Sequence, residues 1–129
     1  MTQSIETKID ENNIITVAII GDLLEDKMDN IVSSLKDSVK IITDAYDNAG
    51  QKKVKVLVDL SNFDGKYAIK SFTHMVNYAI QTDQYVEKSA VFGGNDKEKM
   101  AAEMVIALSH RDNIKIFDTK EEAMEWLVK

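Results

Sequence analysis

Apolar residues recur along this chain in two rhythms. Short runs dense in Ile, Val and Leu alternate with longer segments where apolar residues return every third or fourth position. The short runs are Ile5 to Asp10, Ile14 to Ile20, Val54 to Leu60, Lys88 to Phe92 and Ile114 to Phe117. Side chains branched at Cβ suit a pleated, half-buried surface, so these runs predict strands. Glu11-Asn-Asn13 joins the first two as a hairpin, because Asn tolerates positive φ in a tight turn. The run Ile14 to Ile20 is nearly all apolar, which predicts a strand covered on both faces. Gly21 is expected to end it.

The longer segments predict helices. Leu24, Met28, Ile31, Val32, Leu35, Val39, Ile42, Tyr46 and Ala49 form one face of a long helix from Leu23 to Ala49. Asp22 with Glu25 resembles a capping box at its start, and Gly50 is a natural stop. A second helix is expected from Lys66 to about Thr82, with Ala68, Ile69, Phe72, Val76, Ala79 and Ile80 inward. A third runs from Lys97 to Ser109, capped by Asn95 or Asp96, with Met100, Ala101, Met104, Val105 and Leu108 inward. Thr119-Lys-Glu-Glu122 is a capping box opening a last helix with Ala123, Met124 and Leu127 inward. The order ββαβαβαβα predicts an α/β fold with four helices. Its sheet is mixed and mostly parallel, of about five strands, and antiparallel only at the hairpin edge. No linker, repeat or low-complexity tract divides the chain, so residues 1–129 read as a single domain.

Composition narrows the chemistry. The 129 residues include 16 Lys plus Arg and 22 Asp plus Glu, a formal charge of −6. That balance repels phosphate backbones, and no basic stripe with interleaved aromatics offsets it, so nucleic acid is not an expected partner. With no Cys, disulfides and Cys-based zinc sites are excluded. Met1 to Lys8 carries no apolar run behind a basic start, and no run approaches a membrane span. The reading is a cytoplasmic protein without signal peptide or membrane span.

Candidate chemistry gathers after the strand Val54 to Leu60. Ligands and partners meet open α/β sheets at the carboxyl ends of strands. Asp59, Ser61, Asn62, Asp64, Gly65 and Lys66 sit there, in a loop Ser61 to Gly65 and the first residue of the helix after it. They read as a patch for a protein partner, and equally as Asp and Ser residues bonding their own backbone. Gly93-Gly94-Asn95-Asp96 reads as a tight turn, since it lacks a phosphate-loop pattern and Asp96 would repel an anion. His74 and His110 are isolated, with no pairing for metal or base chemistry. No catalytic residue, cofactor or metal is expected. The helix Leu23 to Ala49 is long for a chain of this size. Either its far end pairs with a second copy, or it crosses the sheet diagonally.

The whole chain resembles a STAS-type domain. The resemblance lies in the order of elements, in Val56-Leu-Val-Asp-Leu60 with its loop, and in the ending Asn113 to Leu127. It is closer still to a STAS-like branch of small bacterial proteins grouped with the Sec14 lipid-binding fold. There the likeness lies in Tyr85-Val-Glu-Lys-Ser-Ala-Val-Phe-Gly-Gly94, Ile114-Lys-Ile-Phe117 and Glu121 to Leu127. The first resemblance implies a non-enzymatic interaction or regulatory module. Anti-sigma-factor antagonists of that group carry an Asp-Ser-Ser-Gly-like loop with a phosphorylated Ser. Here Asp64 holds the Asp, and Gly65 and Lys66 replace the two Ser residues. Ser61 and Ser71 are nearby but do not match, which puts the phospho-switch in doubt. The second resemblance implies a carrier of a small apolar ligand. Phe63, Tyr67, Phe72 and Met75 would form its pocket beneath the second helix. Against it, Met28, Met75, Met100, Met104 and Met124 can simply fill the core.

Overall fold

A computed structural model describes residues 3–129. Met1 and Thr2, part of the expected 1–129 unit, lie outside the described residues. Five strands form one sheet in the order β1-β2-β3-β4-β5. They are β1 (Ile5–Ile9), β2 (Ile14–Leu23), β3 (Val54–Tyr67), β4 (Val86–Phe92) and β5 (Ile114–Ile116). The helices are α1 (Met28–Asn48), α2 (Ile69–Thr82), α3 (Asp96–Ser109) and α4 (Lys120–Val128). β1 pairs antiparallel with β2, and every later pair is parallel. The α/β class and the order ββαβαβαβα are as the sequence predicts. Asn13 takes the positive φ of 62° that the hairpin turn asks for, and Asp10 Oδ1 accepts from the backbone N–H of Asn12 and Ile14.

The two sheet faces are covered unequally. Ile15, Val17, Ile19, Val56 and Val91 point to one side and pack with Ile31, Leu35 and Ile42 of α1. Met75 and Tyr78 of α2 and Ala101 and Ala102 of α3 join the same cluster. The opposite side carries a smaller cluster of Ile14, Leu57, Ala90 and Phe92 under Ala123 and Leu127 of α4. Each of these buried branched side chains contributes about 1.5–3 kcal/mol over an exposed one. Lys88 fastens α4 to β4: its Nζ donates to the Trp126 carbonyl at 2.7 Å and lies 4.8 Å over the Trp126 ring. β2 is thus not covered throughout both faces. Thr16 and Ala18, on the α4 side, are only half-buried because α4 sits over β3 and β4.

Several expected boundaries are corrected. Gly21 does not end β2, which runs on to Leu23. Asp22 caps no α-helix: its Oδ1 accepts from the Leu24 N–H at 3.1 Å, and a 3-10 turn over Glu25–Lys27 precedes α1. The segment Ser61 to Gly65 is not a loop but part of β3, and α2 begins at Ile69 rather than Lys66. That extension pairs with the end of β2, as Asn62 with Ile20, Phe63 with Gly21 and Tyr67 with Leu23, across two bulges. Along it Phe63 and Gly65 are buried and their neighbours exposed, the period of a strand.

Two helix faces also differ from expectation. On α2, Ile69 and Ile80 are 84% and 52% exposed, while Ser71, Ala79 and Thr82 are buried. On α3, Met100, Met104 and Leu108 face water, at 62%, 43% and 53% exposure. The inward side of α3 is Glu98, Ala101, Ala102, Val105, Ile106 and Ser109. Small residues there let α3 approach α2, with which it makes its main helix contact. On α1, Ile31, Leu35 and Ile42 of the expected stripe are buried together with Ser34 and Ser38, Met28, Val32, Val39 and Tyr46 are half-buried, and Leu24 and Ala49, outside the helix, are exposed.

Candidate functional site

The carboxyl ends of β2, β3 and β4 meet α2 and α3 around Phe63. Phe63 is buried, and Tyr67 stacks on Phe72 at 5.7 Å between ring centroids. Beneath them lies a cavity of about 120 Å3 between the sheet and helices α2 and α3. Phe63, Tyr67, Phe72 and Met75 all line it, together with Val56, Val58 and Val91 of the sheet and Ala102, Val105 and Ile106 of α3. Its wall is almost wholly apolar.

The polar residues predicted as a partner site are distributed over two environments. Ser61, Asn62, Asp64 and Lys66 are exposed, and Asp59 is half-buried. Asp59 Oδ1 accepts from the Ser61 N–H at 2.8 Å, and Asp64 Oδ1 from the Lys66 N–H at 2.9 Å. One oxygen of each carboxylate is therefore spent on its own backbone. Gly65 is buried and offers no surface: a Cβ there would stand 3.2 Å from Glu98 Oε2 and from Lys97 Cδ. Asp22 flanks this edge. The Leu24 N–H first, then Lys27, 3.2 Å away, hold its carboxyl below the usual range. Ser71 is fully buried on α2, beside Met28.

The polar side chains of the wall, Tyr78, Thr82, Ser89, Glu98 and Arg111, are not among the residues the sequence points to. Arg111 is 9% exposed. Its Nε–H donates to Asn113 Oδ1 at 3.0 Å, with Asp83 Oδ1 3.3 Å away. Its terminal nitrogens donate to the Ala79 carbonyl at 3.4 Å and Ser89 Oγ at 3.2 Å. Asn113 in turn donates to the Val86 and Glu87 carbonyls, locking β5 to the start of β4. Burial lowers the Arg111 pKa and Asp83 opposes this, but a guanidinium keeps its charge regardless. The signal for Glu98 was its spacing, three and seven positions before inward-facing Ala101 and Val105. Asn95 does cap α3, its side chain accepting from the N–H of Lys97 and Glu98.

Tyr78 has a titration consequence. Its hydroxyl shares a 2.6 Å hydrogen bond with Ser38 of α1, and burial pushes its pKa from 10.0 up to about 12. Between those values the folded chain keeps a proton that the unfolded chain has lost. Stability from this group is therefore complete below pH 10 and declines as pH rises through 12, by about 2–3 kcal/mol in all. Urea midpoints measured from pH 9 to 12 should fall along that slope, and Tyr78→Phe should flatten it. An equal slope in both proteins would refute the assignment.

Among the described residues no cluster of three His, Cys, Asp or Glu side chains could hold a metal. No helix among them is long and apolar enough to cross a membrane. Comparison with known proteins places the architecture. The family described as SpoIIAA-like matches residues 14–128. The solution NMR structure of the protein TM1081 is similar over 100% of this chain and 92% of that one, with a TM-score of 0.58 and 23% identity. At that identity the likeness is one of fold. No curated protein matches the chain.

Proposed function

Because the chain belongs to the SpoIIAA-like family, we propose that it is a STAS-type regulatory module, non-enzymatic, that binds a protein partner. The surface is the edge formed by Ser61, Asn62, Asp64 and Lys66, with Asp59 and Gly65 shaping it from behind. The observation that carries this is the edge itself. Four polar side chains stand exposed along a strand whose backbone is held by β2 and by two Asp hydrogen bonds. A backbone held in this way, with exposed polar side chains, loses little entropy on binding. Replacing Asp64 by Asn and Lys66 by Glu together keeps the turn bond, changes the charge, and should move stability by under about 0.5 kcal/mol. Affinity capture with cross-linking should recover a partner with the native chain and lose it with this variant. A partner retained equally by both would remove the surface from consideration.

A second reading rests on the cavity. Its apolar wall suits a small apolar ligand, carried or sensed in the Sec14 manner, with Phe63, Tyr67, Phe72 and Met75 as contacts. A dry cavity of about 150 Å3 holds benzene, and the 120 Å3 here is of the order of a single small ring. Native mass spectrometry of gently purified protein reads both retained ligand and subunit number. The two readings share Phe63, whose strand forms the partner edge while its ring lines the cavity.

A further inference from the structure

The cavity holds one polar group whose needs the fold does not meet. Glu98 is 6% exposed and lines the cavity from the first turn of α3. Among the described residues none hydrogen-bonds its Oε2, which is fully buried. An acidic residue three positions after an N-cap ordinarily turns back to the cap's own N–H. Glu98 does not: its Cβ rests over Gly94 and its carboxyl lies against Gly65, which has no side chain to fill that space. The other polar residues of the wall are all partnered. Thr82 donates to the Tyr78 carbonyl, Tyr78 is bonded to Ser38, and Ser89 accepts from Arg111. A buried carboxyl oxygen without a donor is costly, and a matching donor removes that cost.

We propose that Glu98 is the polar anchor of the cavity, and that the ligand is a small apolar molecule bearing a hydrogen-bond donor, an alcohol or amine rather than a carboxylic acid. This rests on the apolar-ligand reading above. The apolar body lies among Phe63, Phe72, Met75 and Val105, and the head group donates to the Glu98 carboxylate, whose Oε2 turns from Gly65 toward the cavity to meet it. An ammonium head adds opposite charge beside the carboxyl, whereas a carboxylate head would set two acids together.

The test uses four single-ring probes on the full chain: toluene, benzyl alcohol, benzylamine and benzoate. Binding is read from the methyl resonances of Met75, Ala79 and Ala102, which also locate the probe. Benzyl alcohol and benzylamine should bind roughly tenfold or more tightly than toluene, and benzoate more weakly than all three. Glu98→Met should bring both down to the toluene level while toluene still binds. Glu98→Gln, closer in shape, should keep the alcohol and erase the advantage of the amine, and it carries the test if the Met variant does not fold. Toluene equal to benzyl alcohol, or a preference that survives in Glu98→Gln and Glu98→Met alike, overturns the anchor and leaves the cavity reading standing. No binding of any probe overturns both.

Discussion

Replacing Arg111 by Met is expected to lower stability by about 3–5 kcal/mol, a large share of what a domain of this size possesses. The loss does not come mainly from the ion pair. Asp83 is half exposed, so water screens its attraction for the guanidinium. What the substitution removes is the donor set serving the Ala79 carbonyl, Ser89 and the Asn113 amide oxygen, all in or beside the core. Each acceptor left buried without a partner costs about 1–3 kcal/mol. Urea denaturation should show a lower midpoint with an unchanged slope. Asp83→Asn should cost under about 1 kcal/mol in the same assay. If the two variants lose equal stability, the pair and not the network is the source. Arg111→Lys should rescue little, because an ammonium cannot serve three directions in one plane.

Gly93→Ala should be nearly as damaging, at about 3 kcal/mol. Its φ of +83° costs an L side chain about 1–2 kcal/mol. A Cβ would also stand 2.7 Å from Ser61 Oγ and 2.8 Å from the Ser61 backbone nitrogen. Ser61 is tied through its N–H to Asp59 and flanked by residues paired to β2, so overpacking adds about 1–3 kcal/mol. Gly50→Ala separates the two terms. Its φ is +71°, yet nothing lies within 4 Å of the added atom. That variant should lose only about 1 kcal/mol. Thermal unfolding of both proteins decides the matter, and similar losses would mean that contact with Ser61 adds nothing.

The fold was legible because periods of two and of three to four mark its elements plainly. Ile14 to Ile20 and Val54 to Leu60 could hardly be anything but strands. The ends were harder. Ser61 to Lys66 looks like a loop because five of its six residues are polar or Gly, yet alternation at Phe63 and Gly65 continues the strand. On α3, helical spacing points Met100, Met104 and Leu108 inward along with Ala101 and Val105, yet only the last two turn inward, with Ala102 and Glu98. Close packing chose volume over hydropathy there. The site shows a deeper limit. Strand-end reasoning draws on sheets whose strand order reverses and leaves a crevice. Here the order never reverses, so the concave space lies between sheet and helices. Phe63, Tyr67, Phe72 and Met75 were reached through the resemblance and by lying near the central strand. Arg111 and Tyr78 were not, because nothing local in sequence reports a partner thirty residues away.

The unequal cover of the two sheet faces has a consequence for a chain being made from its N-terminus. Each strand pairs with the strand before it in the chain, so the sheet can extend outward as synthesis proceeds. The face under α1, α2 and α3 is closed in step with it, one helix at a time. The other face waits. Ile14, Leu57, Ala90 and Phe92 remain in water until Ala123 and Leu127 arrive on the final nine-residue helix. A chain folded as far as β5 but without α4 docked would therefore display a five-stranded sheet with one apolar face still open to water.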